Sequence, residues 1–243
     1  MTLQLSRNGT DWTITKPIAG RADYGAAEGL VSRLSSAQMR NIVAEDATDL
    51  KPYGLDRPSL TASVMIGSSR ATLLIGTSGD QGLFAKDASR PVVFTVEESL
   101  ATELSKDVAE FRRKDLFDSR SFTANRVELR RGDEALTFEE TKDADGKEVW
   151  RNAAGQNVDT DKVEELFTKL SNLRAQAFES SPHPSLKAPV LTATIRFDDG
   201  KTETVTFGRT GRDVFGARAD EAGAARLDAS AFDEAIKALD AVK

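Results

Sequence analysis

A few stretches of the chain carry residue types whose spacing suggests chemistry. Gly76-x-x-Gly79-x-x-Gly82 has the look of a phosphate cradle. Such a cradle needs a helix N-terminus behind it, so that free N–H groups and the helix dipole meet the anion. Here the flanking residues alternate as strands do, and Gly208-x-x-Gly211 repeats the first spacing, so the glycines read as a strand-connecting turn. Asp143-Ala144-Asp145-Gly146-Lys147-Glu148 hints at a calcium loop. It lacks the third ligand before the glycine and the distant glutamate that such a loop requires, and it reads as a hairpin turn. His183, in Pro182-His183-Pro184, is the sole histidine. A hydrolase would need a nucleophile and an orienting acid around it, and a metal site would need more nitrogen ligands, so it reads as an exposed loop residue. Trp12 and Trp150 are the only tryptophans. They suit either ligand stacking or core anchoring, and their equivalent placement favours the core.

Bulk properties narrow the classes further. With 39% hydrophobic and 30% charged residues the chain reads as a soluble globular protein. Net charge is −6, and lysines and arginines are scattered among acids, which argues against nucleic acid. Arg112-Arg113-Lys114 is followed by Asp115 and Asp118 and reads as a solvated connector. There is no cysteine, hence no disulfide, zinc thiolate or thiol nucleophile. No catalytic residue, metal site or cofactor is expected. No apolar run approaches the roughly 18 residues of a membrane span. MTLQLSRNGTDW reads as amphipathic strand and not as a signal peptide. The expectation is an ectodomain whose targeting segment is absent.

The elements that must position these residues recur. Asp23 corresponds to Asp159, and at the same offset Ala27, Leu30, Val31 and Leu34 correspond to Val163, Leu166, Phe167 and Leu170. Both sets have the spacing of one helix face, and each aspartate stands where a carboxylate caps a first turn. After a loop that is shorter in the second copy, Leu60, Ala62, Val64 and Ile66 correspond to Leu191, Ala193, Ile195 and Phe197. Both alternate as half-buried strands do. Gly76 and Phe84 then match Gly208 and Phe215, and Leu100 and Leu104 match Phe232 and Ile236 in a closing helix. Each copy reads as a strand bearing the tryptophan, a helix, a short strand, a hairpin, shorter strands and a final helix. Between the copies, 127–131 and 135–140 alternate as strands leading into the second tryptophan strand.

The string Leu50-Lys51-Pro52-Tyr53-Gly54-Leu55-Asp56-Arg57-Pro58, with Trp12 and Ala22-Asp23 upstream, resembles the domain-of-unknown-function family numbered 4340. The likeness covers nearly the whole chain. It implies a membrane-anchored protein with an envelope-facing domain, in some members an auxiliary component of gliding-motility-type ABC transport systems. It brings no catalytic residues. The second copy keeps only Leu186 and Pro189 of the motif, so Tyr53 and Asp56 are the binding candidates.

The expected fold is α+β: two tandem similar units, each an antiparallel sheet with helices packed on one face. The units span 1–110 and 148–243, with connecting strands in 111–147. The expected function is a non-enzymatic binding or assembly module of the cell envelope, periplasmic or otherwise envelope-facing. Its partner would be a protein, with ABC transporter subunits as candidates. It would touch no nucleic acid, and would meet the membrane only through an anchor outside this chain. The alternative is a small-ligand-binding protein with its pocket at the junction of the repeats.

Overall fold

A computed structural model of the chain describes residues 2–118 and 123–242. Contacts divide the chain into two compact units, one continuous over 24–111 and one that joins 2–23 to 112–242. This partition differs from the sequence division at 110 and 148. Residues 2–23 and 112–147 both fold with the C-terminal residues.

The chain begins with β1 (Gln4–Asn8), β2 (Asp11–Lys16) and β3 (Gly20–Arg21), which form a three-stranded sheet. Trp12, on β2, is half-buried, with the Arg7 guanidinium 5.8 Å from its ring. It is therefore not the enclosed anchor that its position suggested.

The unit 24–111 contains α1 (Tyr24–Ser35), β4 (Ile42–Ala44), β5 (Leu60–Ile66), β6 (Ser69–Gly79), β7 (Gly82–Asp87), β8 (Val93–Val96), α2 (Glu98–Leu104) and α3 (Val108–Phe111). Its sheet runs β4-β8-β7-β6-β5, all antiparallel. Ile75, Ala85, Phe94, Val96 and Leu100 form the core, with Leu34 of α1 and Leu60 of β5 packed against it. The alternation of β5 does not keep its whole inner face covered. Leu60 and Ala62 are half-buried, but Val64 and Ile66 on the same face are 38% and 79% exposed. The strand outruns its core.

The other unit continues with β9 (Ala124–Arg131), β10 (Glu134–Lys142), β11 (Glu148–Asn152), α4 (Thr160–Ser171), β12 (Ala175–Glu179), β13 (Leu191–Phe197), β14 (Thr202–Thr210), β15 (Asp213–Arg218), β16 (Ala224–Leu227) and α5 (Ala229–Val242). These strands make one antiparallel sheet, β11-β10-β9-β13-β14-β15-β16-β12. Val163, Leu166, Phe167 and Leu170 of α4 are buried as their spacing requires. Asp159 caps α4 by accepting from the Asp161 N–H at 3.1 Å. Trp150 is 3% exposed and lies 5.3 Å from the Phe167 ring, in the core.

Candidate functional site

Tyr53 ends a 3-10 turn, Lys51–Tyr53, which Gly54 closes in the left-handed conformation at φ 66°. The turn is seated on β6. A Cβ at Gly76 would stand 2.0 Å from the Tyr53 carbonyl oxygen, so only glycine permits the approach. The Tyr53 ring meets Phe84 edge-on, with centroids 5.2 Å apart, and Leu55 is buried. Tyr53 is half-buried in its own unit, whereas Asp56 is exposed at the start of the segment leading into β5. The two candidates thus differ: Tyr53 is partly committed to packing and Asp56 is accessible. Gly79 and Gly82 flank the turn that joins β6 to β7, whereas Gly76 lies within β6 and not in the turn. Asp143 accepts from the backbone N–H groups of Asp145 and Lys147 at 2.9 Å each, and these bonds close the β10–β11 turn.

His183 corrects one expectation. It is half-buried rather than exposed, and stacks on Phe215 with centroids 3.6 Å apart and 7° between planes. Its Nδ1 lies 2.8 Å from the Ser185 hydroxyl and accepts from the Ser185 N–H at 3.3 Å, capping a 3-10 turn over Pro184–Lys187. A Ser–His pair at that distance invites a catalytic reading. Among the described residues, however, no carboxylate orients the other ring nitrogen. The Ser185 backbone is also pressed against Gly208, where a Cβ would come within 2.6 Å of it. The pair is a loop cap.

Arg112 corrects another. The basic triplet does not form a solvated connector, because Arg112 is buried. Its guanidinium lies 4.2 Å from the Phe178 ring centroid and donates to the Ala222 carbonyl at 3.2 Å. It also pairs with Glu221 at 3.5 Å. Arg21 pairs with the same Glu221, with Asp118 at 2.5 Å, and donates to the Asp115 carbonyl at 2.7 Å. Arg218 donates to Asp220 at 2.8 and 2.9 Å and to the Leu116 carbonyl at 2.7 Å, and it pairs with Glu203 at 3.2 Å. Burial works against the Arg218 charge. The hydrogen bonds to Asp220 and the field of Glu203 outweigh it and raise its pKa. For Arg112 desolvation wins over Glu221 and lowers the pKa. These groups surround a cavity of about 20 Å³, the size of a single water. With each guanidinium already bonded to carboxylates and carbonyls, the cluster is a structural knot. It explains why 2–23 fold with 112–242.

In the unit 24–111 an open cleft of about 580 Å³ is lined by Arg33, Met39, Arg40, Asn41 and Glu97. Its arginines are engaged, since both pair with Glu97 and Arg33 also donates to Ser99. The hydrogen bond from Arg40, then that from Ser99, holds the Glu97 carboxyl below its ordinary pKa.

The remaining feature is one that sequence reasoning missed. β5 is the last strand of its sheet, and Val64, Met65 and Ile66 at its end are 38%, 61% and 79% exposed. Over all seven residues, LTASVMI, it carries no charge and no proline, and its pairing with β6 has no bulge. Edge strands are normally blunted by such devices, because their free N–H and C=O groups recruit further strands. At the opposite edge, β4 has three residues and an irregular register. In the other sheet, β13 pairs with β14 on one side and with β9 on the other, from Thr192 opposite Arg130 through Arg196 opposite Arg126. The uncharged run in β5 was the available signal.

Among the described residues no helix is long and apolar enough to cross a membrane. A family model described as a domain of unknown function (DUF4340) matches residues 12–192. Comparison with curated proteins and with solved structures finds no match.

Proposed function

The chain belongs to the DUF4340 family, a domain of unknown function, and from that premise we propose that it is a non-catalytic protein-assembly module of the cell envelope. The observation that carries this reading is the open β5 edge, with its uncharged backbone and three exposed apolar side chains. An edge of this kind offers main-chain hydrogen bonds for affinity and alternate side chains for specificity. Asp56, exposed just ahead of the strand, adds a charged contact, and Tyr53 holds the loop in place. The envelope-facing location, an anchor outside this sequence and an auxiliary role beside ABC transporter subunits follow from the family resemblance.

The two units are read as tandem copies of one fold. The order β4-β8-β7-β6-β5 runs parallel to β12-β16-β15-β14-β13, and each sheet seats a 3-10 turn against a glycine, Gly76 or Gly208. On this reading the copies diverged at the edge. β13 is closed by β9, whereas β5 stays open for a partner.

Capture from envelope extract tests the proposal. Three folded baits are compared: wild type, Asp56→Ala with Met65→Lys, and Lys187→Ala with Asp199→Ala. The first and third should recover the same envelope proteins and the second should lose them. Equal recovery by all three, or loss with the third alone, would overturn the reading.

A further inference from the structure

We propose that β5 pairs antiparallel with β5 of a second copy of this chain, about a two-fold axis through Ser63, joining two five-stranded sheets edge to edge. The inference rests on the assembly reading above and names the partner.

The register follows from the residues. With Ser63 opposite Ser63, Leu60 falls opposite Ile66 and Ala62 opposite Val64, all on the inner face of the sheet. Thr61 falls opposite Met65 on the other face. Ile66, 79% exposed because it lies beyond its own core, would sit beside the partner copy's Leu60, which packs against that copy's core. Each copy thus covers the apolar tip that the other leaves in water.

Charge supports self-pairing in particular. A strand crossing a two-fold axis meets itself, so a charge on the axis would face its like. β5 has none from Leu60 to Ile66. By contrast β9, which covers the corresponding strand β13, carries Arg126, Glu128 and Arg130 on alternate positions. An axis through Glu128 would set Glu128 opposite Glu128 and Arg126 opposite Arg130. The β13–β9 pair shows that a strand at this place in the order accepts an antiparallel neighbour in register over five or more residues. β5 supplies a matching alternation of its own.

The absence of cysteine from the chain allows a clean test. Directly opposed residues of an antiparallel pair have Cα atoms about 4.5–5.5 Å apart, within disulfide reach. Full-length Ser63→Cys should therefore cross-link to a covalent dimer about tenfold or more faster than Ser68→Cys at the exposed hairpin turn, because pairing raises the effective thiol concentration. Thr61→Cys mixed with Met65→Cys should cross-link, and each alone should not. Wild type should sediment at twice the mass of one chain as concentration rises. Val64→Lys with Ile66→Lys should return to the mass of one chain, with its circular dichroism unchanged.

Three outcomes overturn the proposal: a single-chain mass at every concentration, a dimer that survives the double lysine variant, or Ser63→Cys cross-linking no faster than Ser68→Cys. If the mass is that of one chain while the Met65→Lys bait still loses envelope proteins, self-pairing falls and the assembly reading stands.

Discussion

His183 lies flat on Phe215 in one unit, where Tyr53 meets Phe84 edge-on in the other. In both cases an aromatic ring from a 3-10 turn covers a phenylalanine of the neighbouring sheet, and the turn backbone crosses a glycine, Gly208 or Gly76. The histidine is thus best understood as a packing element with a capping nitrogen. His183→Ala should lose the stacking and the bond accepted from Ser185, for a combined cost of about 1–2 kcal/mol. Thermal melts should show it, and His183→Phe should recover more stability than His183→Asn if stacking is the larger part.

The tryptophans should separate in the same kind of measurement. Trp150 is enclosed against Phe167, so Trp150→Ala should cost about 3–5 kcal/mol. Trp12 is half-buried beside Arg7, and Trp12→Ala should cost clearly less. Equal losses would mean that Trp12 is anchored more firmly than its exposure shows.

What the sequence revealed and what it hid follow from the range of the interactions. The stripe Val163, Leu166, Phe167, Leu170 and the cap Asp159 are local, and the helix forms where they require. The strand β13 likewise follows from local alternation. Arg112 was misread because the carboxylate that pairs with it, Glu221, lies 109 residues away and nothing near Arg112 announces it. The β5 edge was misread for a related reason. Alternation reports which face of a strand is apolar, but not how far the core beneath it extends. Of the two candidate binding residues, the structure leaves Asp56 accessible and partly buries Tyr53, a distinction that depends on Phe84 and Gly76 and so on tertiary packing.

Glu140 offers a test by pH. It is half-buried directly across the strand pair from Trp150. Burial first, then the nearby Glu148, Asp198 and Glu164, raises its pKa above the ordinary carboxylate value. A carboxyl whose pKa is higher folded than unfolded binds its proton more tightly in the native state. It therefore favours folding when protonated and loses that contribution as pH rises through the folded value. Glu140→Gln, which keeps the shape without the charge, should raise the melting temperature at pH 7. The gain should vanish at pH 4. A lower melting temperature for the variant at pH 7 would show that the carboxylate is stabilised by a partner instead.

The last prediction concerns the knot that ties the N-terminal strands to the C-terminal unit. The Glu221 side chain is 9% exposed and receives both Arg21 and Arg112. Removing one member of a buried ionic cluster leaves the others charged and desolvated, at about 3–5 kcal/mol. Glu221→Ala exposes three guanidiniums to that penalty at once, those of Arg21, Arg112 and Arg218, although Arg218 keeps Asp220 and Glu203. Arg21 would retain Asp118 and the Asp115 carbonyl, and Arg112 would retain the Ala222 carbonyl and Phe178, so the loss should stay near the lower end. The damage should be local. Residues 2–23 are tied to the C-terminal residues by these bonds and by the backbone bonds from Arg113 to Arg21 and from Ala222 to Ala19. In Glu221→Ala, limited proteolysis should therefore cut within 2–23 well before it cuts within 24–111. Glu221→Gln should show the same order of cleavage to a smaller degree, because the amide keeps an acceptor but not the charge. If 24–111 is cut first in Glu221→Ala, or if wild type and variant share one cleavage pattern, the cluster is not what holds the N-terminal strands in place.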